Sequence, residues 1–215
     1  MQKILVTGFG PFGGESINPA LEAVKVLNGK IIAGAEVVTC ELPVVGHECI
    51  EKMIGFIKEV DPVLVVAVGQ AGGRVDITPE RVAINVDDFR IKDNAGRQPV
   101  DEPVAADGPA AYWSTLPIKA MVNHMRSGGI PASVSNSAGT YVCNNIFYGL
   151  MHYLASEGNR RRGGFIHIPY LPEQAARNPG QASLALDTIV RGLELAIEAA
   201  MNTSSDIKQS EGKTH

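Results

Sequence analysis

No stretch of this chain reaches the roughly 20 consecutive apolar residues that a membrane-crossing helix needs. There is no basic surplus either. The formal net charge of the 215 residues is −4, which argues against nucleic acid as the main partner, because phosphate binding calls for a basic surface. The longest basic run, Arg160-Arg161-Arg162, is followed by two glycines and reads as a solvated turn. Cysteine is scarce: Cys40, Cys49 and Cys143 are the only three. They form no CxxC pair, and none stands at zinc-finger spacing from a histidine. The opening stretch "MQKILVTGFGPFGG" has too short an apolar run for an export signal and reads as a first buried strand. The expectation is a cytoplasmic protein with reduced thiols, no structural metal and no cofactor. Internal repeats and linkers are also missing. Residues 1–202 are expected to form a single catalytic domain, and the polar stretch 203–215, "TSSDIKQSEGKTH", is expected to be disordered.

What is present is an alternation of apolar runs with helical patterns. "KILVTGF", "AEVVTCELPV", "DPVLVVAVG", "VAINVDDFRI", "PASVSNSA" and "GGFIHIPYL" read as strands. "NPALEAVKVLN", "HECIEKMIGFIKEV", part of "AAYWSTLPIKAMVNHMRSGG", "NNIFYGLMHYLASEG" and "QASLALDTIVRGLELAIEAAMN" read as helices. Continuous apolar strands alternating with helices imply an α/β fold: an open, mostly parallel twisted sheet in three layers, with helices on both faces. Residues 87–110, rich in Asp, Pro and Gly, read as a long ordered loop. In such sheets ligands bind beyond the carboxyl ends of the strands, so a chemical group earns attention when it stands just after a strand and near a helix start.

Cys143 meets that criterion. It follows "SVSNSAGTYV" and precedes a helical pattern carrying Ile146, Phe147, Leu150 and Met151. A helix N-terminus favours thiolate, the nucleophilic form, and its free N–H groups can receive an oxyanion. His167 ends an apolar strand, with Phe165, His167 and Pro169 on one face by alternation. It is the best base by elimination. His152 stands well along the helix that Cys143 opens, His47 and His124 occupy helical or turn contexts, and His215 is the last residue. A third group that orients the imidazole is open among Glu80, Asp87, Asp88 and Asp93. Arg90 either pairs with Asp87 or Asp88 or lends positive charge to the thiolate. The glycine loop Gly8-x-Gly10-x-x-Gly13 matches a dinucleotide fingerprint only weakly. Pro11 removes a backbone donor where a phosphate would want one, so Phe9 and Phe12 read instead as an apolar wall for a flat, uncharged group.

Taken together, these residues resemble the pyroglutamyl peptidase type I, or pyrrolidone-carboxylate peptidase, family. Two segments carry the likeness most specifically: "GQAGGRVDITPERVAINVDDFRIKDNAGRQP" and "PASVSNSAGTYVCNN". The resemblance implies a cysteine exopeptidase that removes N-terminal pyroglutamate through a thioester. Cys143 would be the nucleophile, His167 the general base and acid, and Glu80, rather than the aspartates, the group orienting His167. It further implies that Phe9 and Phe12 line the ring pocket, that Gln70 contributes to it, that Arg90 binds substrate near the thiol, and that the chain assembles as a homotetramer. One departure is Gly10, where relatives often carry an acidic residue.

Overall fold

The computed structural model describes residues 1–212. The first strand, β1 (Lys3–Phe9), runs into helix α1 (Pro19–Leu27), then β2 (Ile31–Ile32), β3 (Ala35–Leu42), α2 (Glu48–Val60) and β4 (Leu64–Gln70). After these come three short strands, β5 (Thr78–Pro79), β6 (Val82–Ile84) and β7 (Ala111–Trp113), and then α3 (Ile118–Ser127) and α4 (Val142–Ser156). Strand β8 (Arg162–Ile168), α5 (Pro172–Arg177) and α6 (Leu186–Asn202) complete the chain.

The main sheet has the order β2-β3-β1-β4-β8-β5. Its four central strands are parallel, while β2 and β5 lie antiparallel at the two edges. The pleat divides the strand side chains between two cores. Ile4 and Val6 of β1, with Leu64, Val66 and Val68 of β4, pack against α1, α3 and α6. Leu5, Val65, Ala67 and Phe165 pack on the other side against α2 and α4. This is the three-layer α/β architecture expected from the alternation. His167 shares the parity of Phe165, so the pleat turns it toward α4, whose first turn contains Cys143.

Sheet order reverses around β1. The chain leaves it toward β3 on one side and returns to β4 on the other, the arrangement that opens a crevice beyond the carboxyl ends of β1 and β4. Helix α1 is seated just beyond. Asn18 accepts from Ala20 N at 3.0 Å as its N-cap, Pro19 occupies the first turn, and Asn18 Nδ2 donates to Gly10 O at 2.9 Å. The loop after β1 is thereby tied to the helix that follows it.

Three expectations differ from the structure. "PASVSNSA" makes isolated parallel bridges, Ile77 with Ala132 and Glu80 with Ser135, in place of a regular strand. Of "VAINVDDFRI" only Val82–Ile84 is strand, paired with β7 in a separate two-stranded sheet. Its continuation is drawn off by side chains: Asn85 Nδ2 donates to Ala105 O and Gly108 O, and Asn85 Oδ1 accepts from Ala105 N. Over residues 203–212 the tail lies against the domain. Asp206 accepts from Lys119 N and Ala120 N, supplying the cap that Pro117 does not give to α3. Glu211 pairs with Arg126, and its carbonyl accepts from Arg81 at 2.6 Å. Its polar residues are used as partners for exposed backbone and cations, which a reading by composition does not see. Residues 213–215 lie outside the described part.

Candidate active site

Glu80 and His167 meet across the end of the sheet. Thr78 pairs with His167 in the β5–β8 register, and Glu80 N continues the ladder to Phe165 O at 2.9 Å. This fixes the backbone on both sides. The carboxylate of Glu80, fully buried, then lies 2.7 Å from His167 Nδ1. With Glu80 ionised, Nδ1 carries the hydrogen and Nε2 is left as the acceptor. Phe165 holds the imidazole edge-on, with ring centroids 4.8 Å apart. Burial lowers the proton affinity of His167, Glu80 raises it, and the nearby Arg74 guanidinium lowers it again, with a net shift downward. The resting imidazole is therefore neutral at neutral pH.

Cys143 stands in the first turn of α4 over the same strand ends. Gly69, the register partner of His167, lies beneath it: a Cβ on Gly69 would come within 3.0 Å of Cys143 Sγ and 2.6 Å of the Phe165 ring. Only glycine allows thiol and ring to approach the strand so closely. Asn144 and Asn145 hold the turn. Asn144 Oδ1 accepts from Ile84 N at 3.0 Å, and its Nδ2 donates to Ile84 O and Val86 O. Asn145 Oδ1 accepts from His47 N at 3.1 Å, and its Nδ2 donates to Asp87 Oδ2 at 2.8 Å. The first-turn N–H groups themselves have no carbonyl to bond within the helix, which leaves them for an oxygen of a ligand.

The thiol is not a resting thiolate. Burial pushes its pKa up to about 12, the negative charge of Glu80 adding to that and Arg74 opposing it. Cys143 is nonetheless partly exposed as a residue, whereas Cys40 and Cys49 are buried. It lines a pocket.

That pocket is a narrow slot lined by Phe9, Phe12, Asn18, Val44, Gln70, Tyr141, Val142 and Cys143. It contains aromatic and aliphatic walls, neutral amides and no charge. Gln70 Oε1 accepts from Gln174 Nε2 at 3.0 Å, which leaves the Gln70 NH2 group for a ligand. At Gly10 a Cβ would stand 2.9 Å from Glu41 Oε1, so the carboxylate of Glu41 occupies the space beside this position.

Of the residues singled out in the sequence, the structure brings together Cys143, His167, Glu80, Phe9, Phe12 and Gln70. Arg90 is not with them as the cation beside the thiol. It is exposed and lines an adjoining cleft, and neither Asp87 nor Asp88 pairs with it among the described residues. The cation at the thiol is Arg74. Its Nη1 lies 2.7 Å from Glu80 Oε1 and also donates to Thr78 Oγ1, while Nη2 donates to Ser137 O at 3.0 Å. Its sequence signal was its place six residues before Glu80 in the same turn. Tyr141 and the pair Asn144-Asn145 were also missed. Two asparagines at the head of an otherwise apolar helix are the cue that could have found the latter. The rival carboxylates are engaged elsewhere: Asp87 with Asn145, and Asp93 with the backbone N–H groups of Gly46, Ala95 and Arg97.

Comparison with known proteins decides the family. A pyroglutamyl peptidase family model matches residues 2–203. The chain belongs to the pyroglutamyl peptidase family. Within it, the chain is 57% identical to pyrrolidone-carboxylate peptidase 1 of Ralstonia nicotianae and 55% identical to a pyrrolidone-carboxylate peptidase of Bacillus cytotoxicus, over 100% of both chains in each case. The solved pyroglutamyl peptidase I of Bacillus amyloliquefaciens superposes with a TM-score of 0.95 at 48% identity, covering 97% of this chain and 99% of that one. Pyrrolidone carboxyl peptidase of Thermococcus litoralis gives 0.94 at 37% identity, covering 98% and 100%. Membership in this cysteine-peptidase family agrees with a thiol, an imidazole and a carboxylate gathered at one sheet end.

Proposed function

We propose that the chain hydrolyses the bond between an N-terminal pyroglutamyl residue and the rest of a peptide, with Cys143 as nucleophile, His167 as general base and acid, and Glu80 as the group that orients His167. The observation that carries this reading is the uncharged slot ending at Cys143, with His167 and Glu80 joined at 2.7 Å beside it. Pyroglutamate is a flat neutral lactam without a free α-amine. Aromatic walls and a neutral amide donor fit it, and a charged lining would carry a desolvation cost.

The thiol proton passes to His167 Nε2 as sulfur attacks the scissile carbonyl, and Glu80 stabilises the imidazolium that forms. The carbonyl oxygen takes up the negative charge against the first-turn N–H groups of α4. Collapse breaks the C–N bond, His167 returns the proton to the leaving amine, and a thioester remains. Water then gives a proton to His167 and its oxygen to the carbonyl. The C–S bond breaks, the proton returns to sulfur, and pyroglutamate leaves. Thiol and imidazole both start neutral, and charge develops only with the substrate in place.

A cytoplasmic location and assembly into a homotetramer belong to the same reading by family likeness. Among the described residues no helix is long and apolar enough to cross a membrane. The test is release of a chromogenic amine from a pyroglutamyl amide, alongside the prolyl amide and an unblocked glutamyl amide. Cleavage of the pyroglutamyl substrate alone, lost in Cys143→Ser with the fold intact, is expected. Retained turnover in Cys143→Ala would sink the assignment of the nucleophile.

A further inference from the structure

The slot adjoins a larger, open cleft. This cleft, of about 1060 Å³, shares Phe12 and Gln70 with the slot and is further lined by Tyr170 and Arg90. Gln70 ends β4, and Tyr170 stands two residues beyond the end of β8, so the cleft continues from the strand ends that hold His167. The opening beside Arg74 and Ser135 shares no residue with the slot. A peptide whose first ring fills the slot, and whose leaving nitrogen faces His167, continues into the cleft.

The charges in the cleft do not cancel. Glu15 is engaged by Arg177 at 3.0 Å. Arg90 has its carbonyl held by Gln98 Nε2 at 3.2 Å, which fixes its backbone, but no hydrogen bond or ion pair reaches its guanidinium among the described residues. From this we infer that the cleft receives the residue after pyroglutamate and that Arg90 favours a carboxylate there, carried either by an acidic side chain or by the α-carboxylate of a dipeptide. The inference rests on the peptidase reading above and adds a preference that the neutral slot cannot supply. It acts through charge at an exposed site, so it weakens with salt.

The experiment uses the full chain at low ionic strength with amidated pyroglutamyl-glutamate, pyroglutamyl-glutamine and pyroglutamyl-lysine, plus pyroglutamyl-alanine as the free acid and as the amide. The readout is the ratio of kcat/KM between substrates in one enzyme, so differences in active fraction cancel. Wild type is expected to prefer Glu over Lys by about two- to fivefold, the size of an exposed ion pair. The ratio is expected to fall to near one in Arg90→Gln and to invert in Arg90→Glu. A free-acid preference for alanine that follows Arg90 assigns the α-carboxylate as a second source, while equal rates with acid and amide confine the effect to the side chain. A wild-type ratio near one, or a preference that both variants keep, would overturn the role of Arg90. A folded, reduced wild type that cleaves neither these peptides nor the chromogenic amide would overturn the peptidase reading itself.

Discussion

Two places in this molecule gather a cysteine, a histidine and a buried carboxylate. At one, Cys143, His167 and Glu80 converge at the sheet end. At the other, Cys49 donates to Asn145 Oδ1 at 3.7 Å, and His47 Nε2 lies 3.7 Å from Asp87 Oδ2, beside an open cleft of about 640 Å³ lined by His47, Asp87, Phe89 and Arg97. The residue types are the same and the larger cavity belongs to the second. What differs is geometry. The imidazole at the first site is buried and locked 2.7 Å from its carboxylate, whereas His47 is half-exposed and loosely placed. Cys49 is fully enclosed, and its pKa is pushed upward by burial and the neighbouring Cys143. Asp87, raised to about 6 by burial, spends its hydrogen bond holding Asn145 and, through it, α4. The second cluster is a brace for the first. Reactivity follows from access and from a locked base rather than from the inventory of side chains.

The largest effect that would sharpen this contrast is at Glu80. Glu80→Gln keeps the shape but removes the charge that balances the imidazolium, so kcat should fall by about 10²- to 10⁴-fold with the fold preserved. A loss of less than tenfold, with circular dichroism unchanged, would place the two clusters on an equal footing.

Next is Arg74. With His167 as the general base, activity needs its neutral form and is lost as pH falls through its pKa. That pKa lies below the ordinary 6.5, so the acid limb of kcat/KM should have its midpoint below 6.5. Because the guanidinium holds the imidazole pKa down, Arg74→Gln should move that limb to higher pH. A limb that stays in place, or moves down, would leave Arg74 as a structural strut only.

Labelling separates the thiols directly. Iodoacetamide on the native protein should modify Cys143 first, with activity lost in proportion, while Cys40 and Cys49 react only after unfolding. Peptide mass spectrometry reads the order, and early modification of Cys49 would break the comparison. The smallest effects belong to the brace. Asn145→Ala leaves the Asp87 carboxylate without its amide partner and should cost about 1–3 kcal/mol in urea unfolding. Cys49→Ala should leave kcat/KM within about twofold while lowering stability by about 1 kcal/mol.

The architecture was legible because strand and helix patterns alternate without ambiguity, and buried parallel strands such as "LVVAVG" admit few other readings. Residue chemistry located Cys143 and His167 by their places at a helix start and a strand end. Glu80 was chosen over three aspartates only through family likeness. The physical reason for the choice, a two-residue edge strand pairing with β8, leaves no periodic trace. Arg74 was passed over for Arg90 because proximity to the thiol depends on how the turn after β4 folds back, and spacing along the chain does not encode that. The tail escaped for a related reason: Asp206 and Glu211 are polar residues whose partners lie some 85 positions away in sequence.

The uncharged lining of the slot has a consequence for which chains it can admit. Nearly every unblocked polypeptide begins with an ammonium group, and this slot offers that ion no counter-charge. Unblocked proteins are thereby turned away at their first atom, whatever their sequence. A hydrolase filtered in this way has its restraint built into the substrate's own chemistry.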